Sequence, residues 1–160
     1  AISSEKMNII DLQTIAKSVV DDFNNIYNSK RNISIKLLLN GKKNYKIFGI
    51  ENRLEQIIAN LLDNSISFSK NDQSIYVELK EIDNNKINLS VIDEGEGFKE
   101  RDTEKIFKRF YSNRPTTFGE HSGLGLNIVK NLVELHSGTI LASNNKGKNG
   151  AKVEIIFPKA

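Results

Sequence analysis

The chain has 160 residues, of which 38% are hydrophobic and 27% charged, with a formal net charge of +3. This suits one globular domain with a sizeable core, and the basic excess is too small to argue for a nucleic-acid partner. There is no cysteine and the histidines are His121 and His136, so disulfides, thiolate metal sites and cysteine nucleophiles are excluded and histidine-rich metal sites disfavoured. No apolar run approaches the roughly 20 residues that span a bilayer. The opening AISSEKMNII lacks the apolar core of a signal peptide and an initiator methionine, so the expectation is a piece of a longer protein.

Residues 9–27 predict an amphipathic helix, with Leu12, Ala16, Val19, Val20, Phe23, Ile26 and Tyr27 at helical spacing. Ile33, Ile35, Leu37 and Leu39 alternate as in a half-buried strand. Asn40-Gly41 is a turn signal, and residues 45–49 predict a second short strand. Residues 51–68 predict a helix whose stripe is Leu54, Ile57, Ile58, Leu61, Leu62 and Ile66. Residues 74–82 and 86–92 alternate on either side of Asp83-Asn84-Asn85, which predicts a hairpin. A short helix over 100–110 comes next, then a long aperiodic loop over 111–122. A third helix begins at Gly123-Leu124-Gly125 and ends near Gly138. Strands over 139–143 and 151–157, separated by a polar turn over 144–150, close the chain. Helices mixed with hairpin-like strand pairs argue for an α/β two-layer sandwich, with about three helices on one face of a mixed sheet.

The chemistry concentrates in residues 91–98, VIDEGEGF, where an apolar strand delivers Asp93 and then Gly95 and Gly97. Asp93 has two readings: a cap for the local turn, or an acceptor for the exocyclic amine of adenine. Gly95 and Gly97 are either turn glycines or a floor over which a base lies against the backbone. The run is not a dinucleotide-binding fingerprint, and the chain has no P-loop lysine motif. Asn60 and Asn64 lie at i and i+4 on one helix face. They are either a solvated polar face or a pair of amide oxygens aimed at a hard cation such as magnesium. Gly123 and Gly125 precede a helix whose free N–H groups suit phosphate, or they are merely a flexible entry to it. Phe107 and Phe110 are more often core than ligand contacts. His121 has polar neighbours and no metal partner in sequence, and His136 reads as structural.

The order of motifs is more specific than any one of them. NLLDNSISFS, DEGEGF, IFKRFY and SGLGLNIVKNLVELHSG occur in that succession. This resembles the ATP-binding catalytic domain of sensor histidine kinases, part of the wider group with gyrase, mismatch-repair ATPases and an ATPase chaperone. The resemblance runs from about Leu12 to Pro158. It implies the Bergerat sandwich as one domain over 1–160, with 109–122 as an ATP lid and 1–10 the tail of a dimerisation helix. It implies ATP and magnesium as cofactors. Asn64 would hold the magnesium with Asn60 assisting, and Asp93 would bind adenine. Gly95 and Gly97 would shape the floor, with Phe68 also in the nucleotide site. Phe107 and Phe110 would anchor the lid, and Gly123, Leu124, Gly125 and Leu126 would line the phosphates. Arg109 or Arg114 would supply the lid cation.

The chain departs from the family pattern at Ser67, Ser112, His121 and Ala151, which leaves the base site intact and alters the phosphate side. The stretch FYSNRPTTFGEHSGLGL is similar to a subgroup of alphaproteobacterial envelope-sensing kinases. The activity implied is transfer of the γ-phosphoryl of ATP to a histidine on a dimerisation and phosphotransfer domain outside this chain. A response regulator would be the next partner. The full-length protein would be a homodimer anchored in the bacterial inner membrane, with this domain in the cytoplasm. The alternatives are a degenerate nucleotide-binding or interaction module, or a hydrolysing ATPase, which needs a base where Asn60 stands.

Overall fold

The computed structural model describes residues 6–40, 44–83, 85–98, 103–107, 124–145 and 149–160. Strand β1 (Asn8–Asp11) leads into helix α1 (Leu12–Arg31). Asp11 caps the helix, its Oδ1 accepting from the Gln13 amide at 3.0 Å. The helix expected from residue 9 therefore starts later. Asn8–Asp11 instead pairs antiparallel with β3 (Lys46–Gly49), with Ile10 opposite Ile47. Pairing with a distant strand overrides a helical period that Ile9 and Ile10 continue by accident. At its other end α1 runs past Tyr27 to Arg31 and stops at Asn32, whose φ of 51° is a left-handed conformation that asparagine tolerates.

The remaining elements are β2 (Ser34–Asn40), α2 (Glu51–Phe68), β4 (Ser74–Asp83), β5 (Lys86–Ile92), α3 (Leu124–Leu135), β6 (Thr139–Asn144) and β7 (Ala151–Pro158). Of the short helix expected over 100–110, the described residues contain a 3-10 stretch, Thr103–Phe107. The five-stranded sheet has the order β2-β4-β5-β7-β6. β2 and β4 are parallel, and every other pair is antiparallel. A parallel pair needs a crossover, which α2 supplies. The strands flanking Asn40-Gly41 consequently part: β2 enters the large sheet and β3 pairs with β1.

One face of the sheet is the core. Ile75, Val77 and Leu79 of β4, Ile87, Leu89 and Val91 of β5, and Val153, Ile155 and Phe157 of β7 are all buried. They meet Ile15 and Val19 of α1, Leu54, Ile57, Ile58, Leu61 and Leu62 of α2, and Val129 and Val133 of α3. Each such side chain contributes roughly 1.5–3 kcal/mol of burial. The three helices thus cover one face of a mixed sheet, as the patterning predicts. α2 packs against both α1 and α3.

Two features of this frame position the site. β5 is the central strand, so the chain beyond Ile92 emerges between neighbours on both sides. The Ile50 amide, at the start of α2, donates to Nε2 of His136, just past the end of α3, at 3.1 Å. The two helices therefore run in opposite senses, and the exit of α2 lies toward the start of α3. No helix among the described residues is long and apolar enough to cross a membrane.

Candidate functional site

Asp93 stands just past the end of β5 and is 1% exposed. Its Oδ1 accepts from the Gly95 amide at 3.0 Å and from the Ala151 amide at 3.1 Å. The Asp93 amide in turn donates to the Ala151 carbonyl at 3.0 Å. Backbone donors offset the cost of burying the carboxyl group and fix its orientation. The turn cap is thus real. The cap and the adenine-acceptor reading both call for a carboxyl group held in one orientation at this strand end.

The residues after Asp93 are held from the far side by β6 and β7. Gly97 has φ 83°, and a Cβ there would stand 2.6 Å from Oδ1 of Asn144. Phe98 donates its amide to that Oδ1 at 2.6 Å and accepts from Nδ2 of Asn144 at 2.9 Å. The Asn144 side chain therefore acts as a short length of partner strand. Gly150, with φ 124°, packs directly beneath the Asp93 carbonyl. The polar pattern of 144–150 suggests a turn and nothing more. The signal for this role is Asn149-Gly150 immediately before a strand, a dipeptide suited to positive φ.

From the near side, the floor is tied to the exit of α2. Arg31 donates to the Ile66 carbonyl at 3.0 Å, the Ser69 carbonyl at 2.6 Å and Oδ1 of Asn71 at 2.7 Å. It adds a second donor to the Ile66 carbonyl, which also accepts from the Ser69 amide, and it binds the Ser69 carbonyl just past the helix end. Gln73 then reaches across to Glu94, donating to its carbonyl at 3.0 Å. Glu94 accepts from the Ser74 amide through Oε1 at 2.6 Å. Neither Arg31 nor Gln73 stands out in the sequence, since both act mainly on backbone atoms.

Asn60 and Asn64 are half-buried on α2, and Phe68 is buried at its last turn. Among the described residues no cluster of three or more His, Cys, Asp or Glu could hold a metal. An ion at this helix would rely on amide oxygens, which suit magnesium. Ser67 turns its hydroxyl back to the Asp63 carbonyl at 2.9 Å. At the start of α3, Leu126 is buried, while Gly125 is exposed with nothing within 4 Å of where a Cβ would stand. Phe107 is 5% exposed among core residues, and its carbonyl accepts from Nδ2 of Asn127 at 3.1 Å. That bond ties the 3-10 stretch to the first turns of α3.

The structure therefore joins Asp93, Gly95 and Gly97 into one clamped floor, with the exit of α2 bound to one side. Of the other expected site residues, Arg109, Phe110, Arg114 and Gly123 lie outside the described residues, as do His121 and Ser112 and the stretch 109–122. The backbone of Leu124 opens α3. His136 is 4% exposed, with Nδ1 2.7 Å from the Leu132 carbonyl and Nε2 accepting from Ile50. Its structural reading holds.

The chain is similar to known proteins in sequence and in fold. Residues 49–160 match the family model described as histidine kinase-, DNA gyrase B-, and HSP90-like ATPase. The sensor protein ChvG of Rhizobium meliloti is 33% identical over 147 residues, covering 88% of this chain and 26% of ChvG. The chain thus spans about a quarter of the length of such curated relatives. The catalytic domain of histidine kinase ThkA superposes with a TM-score of 0.82 at 23% identity, covering 96% of this chain and 98% of that one. ThkA in complex with the response regulator TrrA matches with a TM-score of 0.79 at 23% identity, covering 96% of this chain and 42% of that one.

Proposed function

The chain belongs to the histidine kinase-, DNA gyrase B-, and HSP90-like ATPase family, and on that premise we propose that it binds ATP over the floor formed by residues 93–98. The observation that carries this reading is the held carboxyl group of Asp93, buried and bonded to the Gly95 and Ala151 amides. A carboxylate fixed at a pocket floor accepts from the 6-amino group of adenine. Guanine offers an acceptor at the corresponding ring position, so the same group selects against it. Phe68 completes the base side.

The phosphates lie toward the start of α3, where the free N–H groups and the positive dipole end favour anions. Gly125 leaves open space there. Asn64, with Asn60 on the same face of α2, offers amide oxygens for magnesium. A magnesium ion held there would neutralise charge on the transferring phosphoryl group. The rest of the work is positioning.

The activity proposed for the whole protein is that of a sensor histidine kinase, and the sensor-kinase relatives support it. His136 is not the phosphoacceptor, because it is buried with both ring nitrogens engaged. The acceptor histidine belongs to a dimerisation and phosphotransfer domain outside this chain. The ThkA–TrrA complex supports a response regulator as the next partner. The full-length protein on this reading is a membrane-anchored homodimer with this domain on the cytoplasmic side. Water activation by a general base, as a hydrolysing ATPase requires, is not available from the amide of Asn60.

The test is Asp93→Asn in the full-length protein with ATP and magnesium. An amide there presents a donor to the adenine amine, so phosphohistidine formation falls by about tenfold or more. Phosphorylation at the wild-type level would reject the assignment.

A further inference from the structure

Gln73 grips the rim of the floor from outside it. The carbonyl that accepts from Nε2 of Gln73 at 3.0 Å is that of Glu94. The amide that donates to Oδ1 of Asp93 at 3.0 Å is that of Gly95. These two groups belong to one peptide unit. A trans peptide is planar, with its C=O and N–H pointing in opposite directions. No cis peptide bond is present among the described residues. Whatever holds the Glu94 carbonyl therefore aims the Gly95 amide.

Gln73 is itself fixed. Its Oε1 accepts from the Lys70 amide at 2.8 Å, so the side-chain amide donates at one end and accepts at the other. The loop that carries it is anchored on its far side. The Asp72 amide donates to the Arg31 carbonyl at 3.1 Å, and Nδ2 of Asn32 donates to Oδ1 of Asp72 at 3.0 Å. Asp72 holds a φ of 72° within this anchorage. An unbroken chain of bonds then leads from the end of α1, through the exit of α2, to Asp93.

We infer that Gln73 is a positioning residue for adenine recognition: it orients the Glu94–Gly95 peptide, and that peptide orients the carboxyl group of Asp93. Gln73 acts through this peptide rather than by touching the nucleotide. The inference rests on the ATP reading for its functional half, and its structural half stands apart from it. Glutamate at this position is the informative isostere. It keeps an acceptor for the Lys70 amide but sets oxygen against the Glu94 carbonyl, where a donor is needed.

The test compares wild type, Gln73→Ala and Gln73→Glu by two readouts. The first needs no nucleotide: amide hydrogen exchange at Gly95, with Leu89 and Val153 in the core strands as internal references. Both variants are expected to raise Gly95 exchange by about fivefold, the effect of one hydrogen bond, and to leave the references unchanged. The second is affinity for ATP and for ITP, which lacks the 6-amino group. ATP binding weakens by about three- to tenfold in both variants, and the preference for ATP over ITP narrows. A general loss of fold would raise exchange at the reference amides as well, and that result overturns the inference. So does Gly95 exchange at the wild-type rate in both variants, or an unchanged ATP-to-ITP ratio in a wild type that binds ATP. Failure of the wild type to bind ATP would sink the nucleotide reading, while Gly95 exchange would still decide whether Gln73 orients the peptide.

Discussion

A Cβ placed on Gly150 would stand 2.0 Å from the carbonyl oxygen of Asp93. The obstacle is backbone, so no rotamer change relieves it. Gly150 also holds φ 124°, which side chains rarely adopt. Gly150→Ala is therefore expected to destabilise the fold by more than about 2 kcal/mol, from strain and overpacking together. Urea unfolding measures this. A midpoint equal to that of wild type would mean that the two strands separate more readily than the packing implies.

Gly125 makes the opposite case. Nothing lies within 4 Å of its virtual Cβ, and it sits in the first turn of α3. Alanine there is a better helix former, so Gly125→Ala is expected to raise stability by about 0.5–1 kcal/mol. On the proposed site the same methyl group would intrude where the phosphates approach the helix start, so affinity for ATP is expected to fall. Thermal unfolding and nucleotide titration on one preparation read the two signs. A gain in stability with unaltered affinity would show that the phosphates do not pass Gly125.

Glu154 gives a pH dependence whose sign can be worked out. Burial alone raises its carboxyl group, but the hydrogen bonds from Asn88 and Lys152, together with the positive charges of Lys152 and Lys80, outweigh this and leave it below its ordinary value. Those bonds are 3.1 Å each. A folded value below the unfolded one means a contribution present above the unfolded value and lost as pH falls through the folded one. Glu154→Gln is therefore expected to flatten the loss of stability on acidification below about pH 4.5. Chemical denaturation at a series of acid pH values checks it. Parallel curves for the two proteins would show that the Asn88 and Lys152 contacts carry no net linkage.

Elements that depend on local periodicity are legible in the sequence. The stripe from Leu54 to Ile66 places α2, and the alternation around Asp83 places the β4–β5 hairpin that delivers Asp93. β1 is not legible. Its four residues are a strand only because Lys46–Gly49 lies beside them, and their own pattern continues a helix. The separation of β2 from β3 is likewise decided by β4, far along the chain. In the site, Asp93 and the glycines are readable because chemistry and turn propensity coincide there. Asn144, Gln73 and Arg31 are not, because each bonds backbone atoms of a remote segment, and such bonds leave no spacing rule in the chain.

On the proposed reading, Asp93 reads adenine at the floor of an ATP pocket. Calorimetric titration of ATP with magnesium into the wild type and Asp93→Asn tests it most directly, with GTP as the control ligand. The expected result is saturable ATP binding by the wild type in the micromolar-to-millimolar range, little binding of GTP, and a loss of about tenfold or more in ATP affinity on substitution. Equal affinity of both proteins for ATP, or equal affinity of the wild type for ATP and GTP, would rule out adenine recognition by Asp93.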